Sequence, residues 1–353
     1  MVEFGLMTFA DMAPEEVAGK GTSGHQRIQN LLEEIKLADQ LGIDVFGIGE
    51  HHRIDYAVSS PTTLLGAAAA ITKKIKLTSA VTVLSSEDPV RVYQQFATVD
   101  LLSGGRAEMM AGRGSFIESF PLFGFDLREY DDLFEEKLEL LININKNEKV
   151  NWSGEFRPPI KNLGIYPRAL NGEIPLWIAA GGTPESALRA ARLKLPLMLA
   201  IIGGMPEQFV QFIDLYKNAS LQNGQKLEDI RIGINNHVFI GENEKQIADD
   251  FFPHYAQMMY RVGKERGWKP ITREQYEFMR SPKGSLMVGG VEQVIEKILY
   301  EYELFGFTRF FSHASLGFVP HALTMKSIEL YGDKVIPAVR KHIAERKPKQ
   351  VVN

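Results

Sequence analysis

Lys76-Leu77-Thr78-Ser79-Ala80-Val81-Thr82-Val83 reads as a strand, Pro89 to Leu102 as the helix that follows it, and Ala107-Glu108-Met109-Met110-Ala111 as the next strand. Pro89 suits a first helical turn, because its missing N–H would have no partner there. Toward the N-terminus the same alternation holds, with Thr62 to Lys73 as a helix and Asp44 to Ile48 as a strand. Before that, Ile28, Leu31, Leu32, Ile35 and Ala38 recur at helical spacing, and Gly42 ends the run. Phe4 to Phe9 is the first strand, and the polar, Gly-rich loop Ala10 to Gly24 after it is long enough to suggest a role in function.

Toward the C-terminus come a helix at Asp131 to Asn145, a loop-rich insertion at Asn151 to Asn171, a strand at Leu176 to Ala180 and a helix at Glu185 to Leu193. Further strands are Leu197 to Ile202, Ile232 to Ile240 and Thr308 to Ser312. Apolar strands alternating with amphipathic helices indicate an α/β fold with a parallel sheet covered on both faces. A count of about eight strands favours a (β/α)8 TIM barrel, although an open doubly wound sheet gives the same local signals. Pro253 to Gly290 is a polar and aromatic insertion that on a barrel sits above the C-terminal face as a candidate lid.

The chain has 353 residues, within the range of one barrel carrying insertions. We therefore expect one domain over residues 1–345 and a flexible tail from Arg346 to Asn353. A net charge of −4 leaves no electrostatic footprint for nucleic acid. The absence of cysteine removes disulfides, thiolate metal sites and cysteine nucleophiles. Met1 to Asp11 lacks the pattern of a signal peptide, and no apolar run is long enough to span a bilayer, so the expected location is cytoplasmic.

In barrel enzymes the chemistry sits at the C-terminal ends of the strands. Glu50, His51 and His52 follow the second strand, and alternation turns neighbours to opposite faces, so one histidine faces the mouth and suits acid–base work. The plainer alternative is a structural histidine bonded to a carboxylate. The spacing is not that of a zinc helix, and no metal is expected. Arg113, between Gly112 and Gly114, suits a phosphate anchor or an ordinary ion pair. Gly181-Gly182-Thr183-Pro184 opens a helix whose exposed N–H groups, beside the Thr183 and Ser186 hydroxyls, would bind an anion, or is merely a cap. No Gly-x-Gly-x-x-Gly follows the first strand and no phosphate-loop lysine is present, which argues against a Rossmann nicotinamide site and a nucleotide triphosphatase.

Taken together, Phe46-Gly47-Ile48-Gly49-Glu50-His51-His52, Leu77 to Leu84, Asp88-Pro89-Val90-Arg91, Asp100 to Arg106 and Ala111-Gly112-Arg113-Gly114 resemble the bacterial-luciferase-like family of flavin-dependent monooxygenases and oxidoreductases. The resemblance runs from about Phe4 to about Ile202. It implies a barrel, and FMN as cofactor with a deazaflavin as the alternative. It implies His51 at the family's proton-transfer position with His52 and Glu50 as neighbours. It also implies flavin contacts from Ser79, Ala80, Val81, Arg113, Ser115, Gly181, Gly182, Thr183, Ser186 and Gly203, with a non-proline cis peptide expected at Ala80-Val81. The expected reaction uses reduced FMN and oxygen on a small or medium organic substrate; hydride transfer from a deazaflavin and flavin binding without turnover are the alternatives. Gly112 stands where the luciferases carry cysteine, and Gly181 and Gly182 where they carry an acidic residue and a serine, which points to a non-luminescent relative. A separate flavin reductase and a homodimer complete the expectations; the nearly all-apolar helix Thr62 to Ile71 suggests burial on both faces, by a partner copy or by insertions.

Overall fold

A computed structural model describes residues 1–12, 22–114, 116–264, 267–316 and 319–345. Eight parallel strands form a closed ring: β1 (Glu3–Thr8), β2 (Val45–Ile48), β3 (Lys76–Ser79), β4 (Ala107–Gly112), β5 (Leu176–Ala180), β6 (Leu197–Ile201), β7 (Ile232–Ile240) and β8 (Arg309–Ser315). What separates a barrel from an open sheet is the last seam, and β8 lies between β7 and β1, with Glu3 opposite Arg309 and Met7 opposite His313. The outer helices are α1 (Gly24–Gln40), α2 (Pro61–Ile71), α3 (Pro89–Ser103), α4 (Tyr130–Lys146), α5 (Pro184–Arg192), α6 (Val210–Gln222), α7 (Val291–Phe305) and α8 (His321–Leu330). The α3 boundaries follow from its sequence: the Asp88 carboxylate accepts from the Val90 and Arg91 N–H groups, Pro89 fills the first turn, and Gly104 ends it in the left-handed conformation.

One core lies between barrel and helices, and a second fills the barrel with Met7, Val45, Ala80, Met110, Trp177, Met198 and Phe311. Interior packing depends on alternating large and small residues. A Cβ at Gly5 would lie 2.6 Å from the Phe311 ring, and one at Gly233 2.2 Å from the Met198 methyl. The N-terminal end is closed by charge. Arg309, 1% exposed, forks onto Glu108 at 2.6 and 3.1 Å and onto Glu3 at 2.6 and 2.9 Å, and rests 4.3 Å from the Trp177 ring. Lys76 adds a 2.6 Å bond to Glu3.

Four sequence expectations change. The strand expected over Lys76 to Val83 ends at Ser79, and a short strand, Thr82–Val83, resumes beyond a cis peptide at Ala80-Val81. The insertion Asn151 to Asn171 is not all loop: with Lys149–Trp152 and Ile160–Gly164 it builds an antiparallel hairpin. The insertion after β7 begins earlier than Pro253, which lies inside the helix Glu244–Lys264. That helix and Arg273–Arg280 pack Phe251, Tyr255, Met258 and Tyr276 into a core of their own, and Met287–Gly289 pairs with β7. Burial of its aromatic face outweighs the hydrogen bond that the proline forfeits. Finally, of the two covers expected for α2, the chain's own described residues do not supply one, since Ala67, Ala70 and Ile71 are exposed. The expected tail and most of the Ala10 to Gly24 loop lie outside the described residues. No helix among the described residues is long and apolar enough to cross a membrane.

Candidate active site

A cavity of about 460 Å³ opens at the C-terminal ends of the strands. Its wall is divided. On the β3 to β6 side small residues, Ala80, Val81, Gly112, Gly114, Ala179, Ala180, Gly181, Ala200 and Gly203, alternate with the larger Met110, Met198, Ile202 and Phe209. A Cβ on Gly112 would come 2.7 Å from Val81, whereas one on Gly181 would meet nothing within 4 Å. Glycine at the first position is therefore a packing requirement, and at the second it keeps a surface open. On the other side it is made of Met7, Phe9, Glu50, His51 and Asn235, and Phe9 and His51 belong to an arc of rings that continues behind the wall. His237 and His313 are 5.1 Å apart, His313 and Phe9 4.6 Å, Phe9 and His51 4.4 Å, and His51 stacks on Tyr56 at 4.2 Å.

His51 lies on the cavity wall, 7% exposed, and its Nδ1 has no hydrogen-bond partner among the described residues. Burial, reinforced by His52 and Arg53, holds its pKa down at about 3, so the ring is neutral at pH 7 and has one donor and one acceptor nitrogen. His52 turns the other way, its Nε2 2.9 Å from a Glu50 oxygen, as strand alternation requires. The second Glu50 oxygen accepts from the Val83 N–H at 2.9 Å, which ties the end of β2 to the segment beyond the cis peptide. Glu50 and His52 also border a second cavity of about 270 Å³ with Glu87, whose carboxyl is pushed up to about 7 by burial and then by Glu50.

Arg113 reaches the main cavity from the end of β4, stacks 5.2 Å over Tyr130 and pairs with the largely exposed Asp131. Gly203 borders the same cavity. Beyond Gly181, Gly182 adopts φ +109° and Thr183 caps α5. The Thr183 and Ser186 hydroxyls are 3.0 Å apart, and Ser186 donates to the Thr183 carbonyl at 2.6 Å, so these hydroxyls are already engaged with the turn. Ser79 is also occupied: it donates to the Met110 carbonyl at 3.0 Å and accepts from the Met110 N–H at 3.2 Å, bridging β3 and β4 where the ladder is interrupted. Only its neighbours Ala80 and Val81 face the cavity. Ser115 lies outside the described residues.

The sequence reading missed Phe9, Asn235, His237 and His313. A signal was present, since Asn235, Asn236 and His237 are three consecutive polar residues inside a strand that is apolar on both sides of them. The arrangement combines a cavity lined by small and apolar residues, the cation of Arg113 and the neutral imidazole of His51. Such a site can hold a planar anionic ligand and move a proton at its edge.

A model of the luciferase-like monooxygenase family matches residues 2–309. The chain belongs to this family. An uncharacterized protein of Sinorhizobium fredii, y4vJ, is 25% identical over 350 residues, which cover 96% of this chain and 99% of that protein. The oxygenating constituent of 3,6-diketocamphane monooxygenase of Pseudomonas putida, solved with FMN, superposes with a TM-score of 0.77 at 19% identity, covering 96% of this chain and 99% of the other. The coenzyme F420-dependent tetrahydromethanopterin reductase of Methanopyrus kandleri gives 0.72 at 20% identity, with coverages of 96% and 99%. These likenesses agree with the closed barrel. Membership makes the chain an enzyme of the luciferase-like monooxygenase and oxidoreductase group.

Proposed function

We propose that this protein is an FMN-dependent monooxygenase that uses reduced FMN and oxygen on a small or medium organic substrate. The observation that carries the proposal is one cavity at the strand ends that brings Arg113 and Gly181 together with the neutral imidazole of His51. A flavin fits this cavity, because Ala179, Ala180, Gly181 and Ala200 present little side chain to it and its volume of about 460 Å³ is of cofactor size. When bound, the flavin supplies the redox chemistry. Arg113 grips its phosphate, exchanging the exposed Asp131 for a dianion, and the free N–H groups at Gly181, Gly182 and the start of α5 complete the cradle. Ala80 and Val81 support the ring, held in place by Glu50 through the Val83 N–H. His51, with Phe9 and Tyr56 packed against its ring, donates or accepts a proton through the edge of the imidazole that faces the cavity.

Fluorescence titration with FMN tests the proposal: we expect saturable quenching, and a rise in Kd of about ten- to a hundredfold in Arg113→Ala, from loss of a charge-assisted contact. Absence of binding, or an Arg113→Ala variant that binds as tightly as the parent, overturns it. A deazaflavin would use the same cavity, and the fold shared with the Methanopyrus reductase keeps hydride transfer as the second reading. Preferential quenching of coenzyme F420 would select it. A separate reductase supplies reduced flavin in this scheme. We infer a homodimer formed through α2 and α3, whose Ala67, Ala70, Ile71, Leu101 and Leu102 present an exposed apolar face.

A further inference from the structure

The ring of His51 is covered by a layer that the proposed reaction leaves without a role. Tyr56 stacks on it at 4.2 Å, Phe116 meets it edge-on at 5.4 Å, and these two covering rings are 5.9 Å apart. Against this layer lies the last part of the helix Glu244–Lys264. Its Met258, Arg261 and Val262, three and four positions apart and so on one helix face, close on Asp11, Arg53, Asp55, Tyr56 and Phe116. The gap left between them is about 10 Å³, room for about one water. The helix and the loop after β2 are therefore in packed contact.

Charge fixes that contact. Asp55 pairs with Arg261 of the helix and, at 3.4 Å, with Arg53 of its own loop; Arg53 in turn pairs with Glu118 after β4 and lies 4.6 Å over the Phe116 ring. The Asp55 and Arg261 side chains are 14% and 26% exposed, so their pair is shielded from most of the solvent that weakens a surface ion pair. On the Asp55 side the backbone is held: the Met12 N–H donates to the Asp55 carbonyl at 2.7 Å, the Tyr56 N–H to the Arg53 carbonyl at 3.2 Å, and Tyr56 forms a bridge with Asp11. On the other side, the helix packs Phe251, Tyr255 and Met258 into a core separate from that of the barrel. The ion pair thus joins a fixed loop to an insertion with a core of its own.

We propose that Asp55 and Arg261 are positioning residues, whose ion pair holds the insertion after β7 against Tyr56 and Phe116 and through them fixes the imidazole of His51 at the cavity wall. The inference rests on the proton-transfer role of His51 in the proposed reaction. Neither Asp55 nor Arg261 is among the described residues that line the main cavity, so both act through the covering rings. The charged and titratable groups on the elements packed around His51 are Glu50, His52, Arg53 and Asp55 on its own loop, Glu118 after β4, Arg261 on the helix and His313 on β8. Through charge alone, removing Asp55 would lower the proton affinity of His51 and removing Arg261 would raise it. Loosening of the cover admits water to the ring and raises it in both cases.

The test follows the His51 imidazole resonances, assigned with His51→Gln, in the full chain labelled with 15N-histidine and free of flavin, from about pH 8 to about pH 5. The parent ring should stay neutral throughout, as its pKa of about 3 requires. Asp55→Asn and Arg261→Met each remove one charge at nearly constant volume. Both should raise the proton affinity of His51 about a hundredfold, so that the ring protonates within that window. The double variant should go no further than either single, as two halves of one contact do. Arg261→Lys should behave as the parent. So should Arg273→Gln, which breaks the pairs with Asp249 and Glu277 in the same insertion. FMN affinity should stay within about twofold in all of them, because the altered side chains lie outside the lining of the main cavity. A His51 that remains neutral in either single variant, or that protonates equally in Arg273→Gln, overturns the inference. Should Asp55→Asn fail to fold, Arg261→Met, on the more exposed side of the pair, decides. Failure of the parent to bind FMN would instead overturn the flavin reading, and the flavin-free titration would still decide the role of the pair.

Discussion

His51 shows how far a single position can be read from sequence and where the structure is needed. Its place after β2 and the alternation of its neighbours were legible, because both are local. Replacing it with Ala should lower turnover by about a hundredfold or more while changing FMN affinity little, as checked by oxygen uptake beside a binding titration. Loss of binding with undiminished turnover per bound flavin would refute the role. The protonation state was not legible, since burial depends on Phe9, Tyr56 and Phe116, which are far apart in the chain. His51 is held at about 3 and His237 at about 4, in both cases chiefly by burial. Unfolded histidine titrates near ~6.5, so between about pH 6.5 and pH 4 the unfolded chain binds protons that the folded chain refuses. Stability should therefore fall as pH falls through that window and be unaffected by these groups above it. Urea midpoints at pH 7 and pH 5 should show the drop, and His237→Phe should remove a part worth up to about 2 kcal/mol. An identical drop in that variant would contradict the shift.

At the scale of elements, strands and helices were largely legible because hydrophobic period and punctuation are properties of short windows. The break in β3 was not, since Ala80 and Val81 look like strand residues and only the contacts around them set their conformation. Gly112 belongs to that set. Gly112→Ala would press a methyl into Val81 and should weaken FMN binding more than it lowers the melting temperature, which a paired titration and thermal scan would separate. The insertion after β7 was placed too late, since Pro253 lies inside the helix Glu244–Lys264, where Phe251 and Tyr255 on either side of it are buried. The Arg309 cluster was likewise invisible, its partners being contributed by four strands. Arg309→Ala leaves buried Glu108 with Lys76, 3.1 Å away, as its remaining cation and should cost about 3 kcal/mol in urea denaturation, with activity preserved in the fraction that remains folded. A loss below about 1 kcal/mol would mean that water replaces the guanidinium.

For the whole molecule, the number of strands pointed to a barrel and the family resemblance supported it, but closure became visible only in the register between β8 and β1, which join opposite ends of the chain. The expected dimer has a direct check: sedimentation should give twice the chain mass, and Leu102→Glu should return it to one. A parent that sediments as a monomer would remove the proposed interface. The seam itself has a consequence for biosynthesis. Glu3 and Arg309 are separated by 306 positions, so a ribosome must deliver nearly all of the polypeptide before the acidic groups at the barrel base receive their guanidinium. Until then Lys76 is the cation available to Glu3 and Glu108, so the pairing of two carboxylates with two cations is completed only when the last strand arrives.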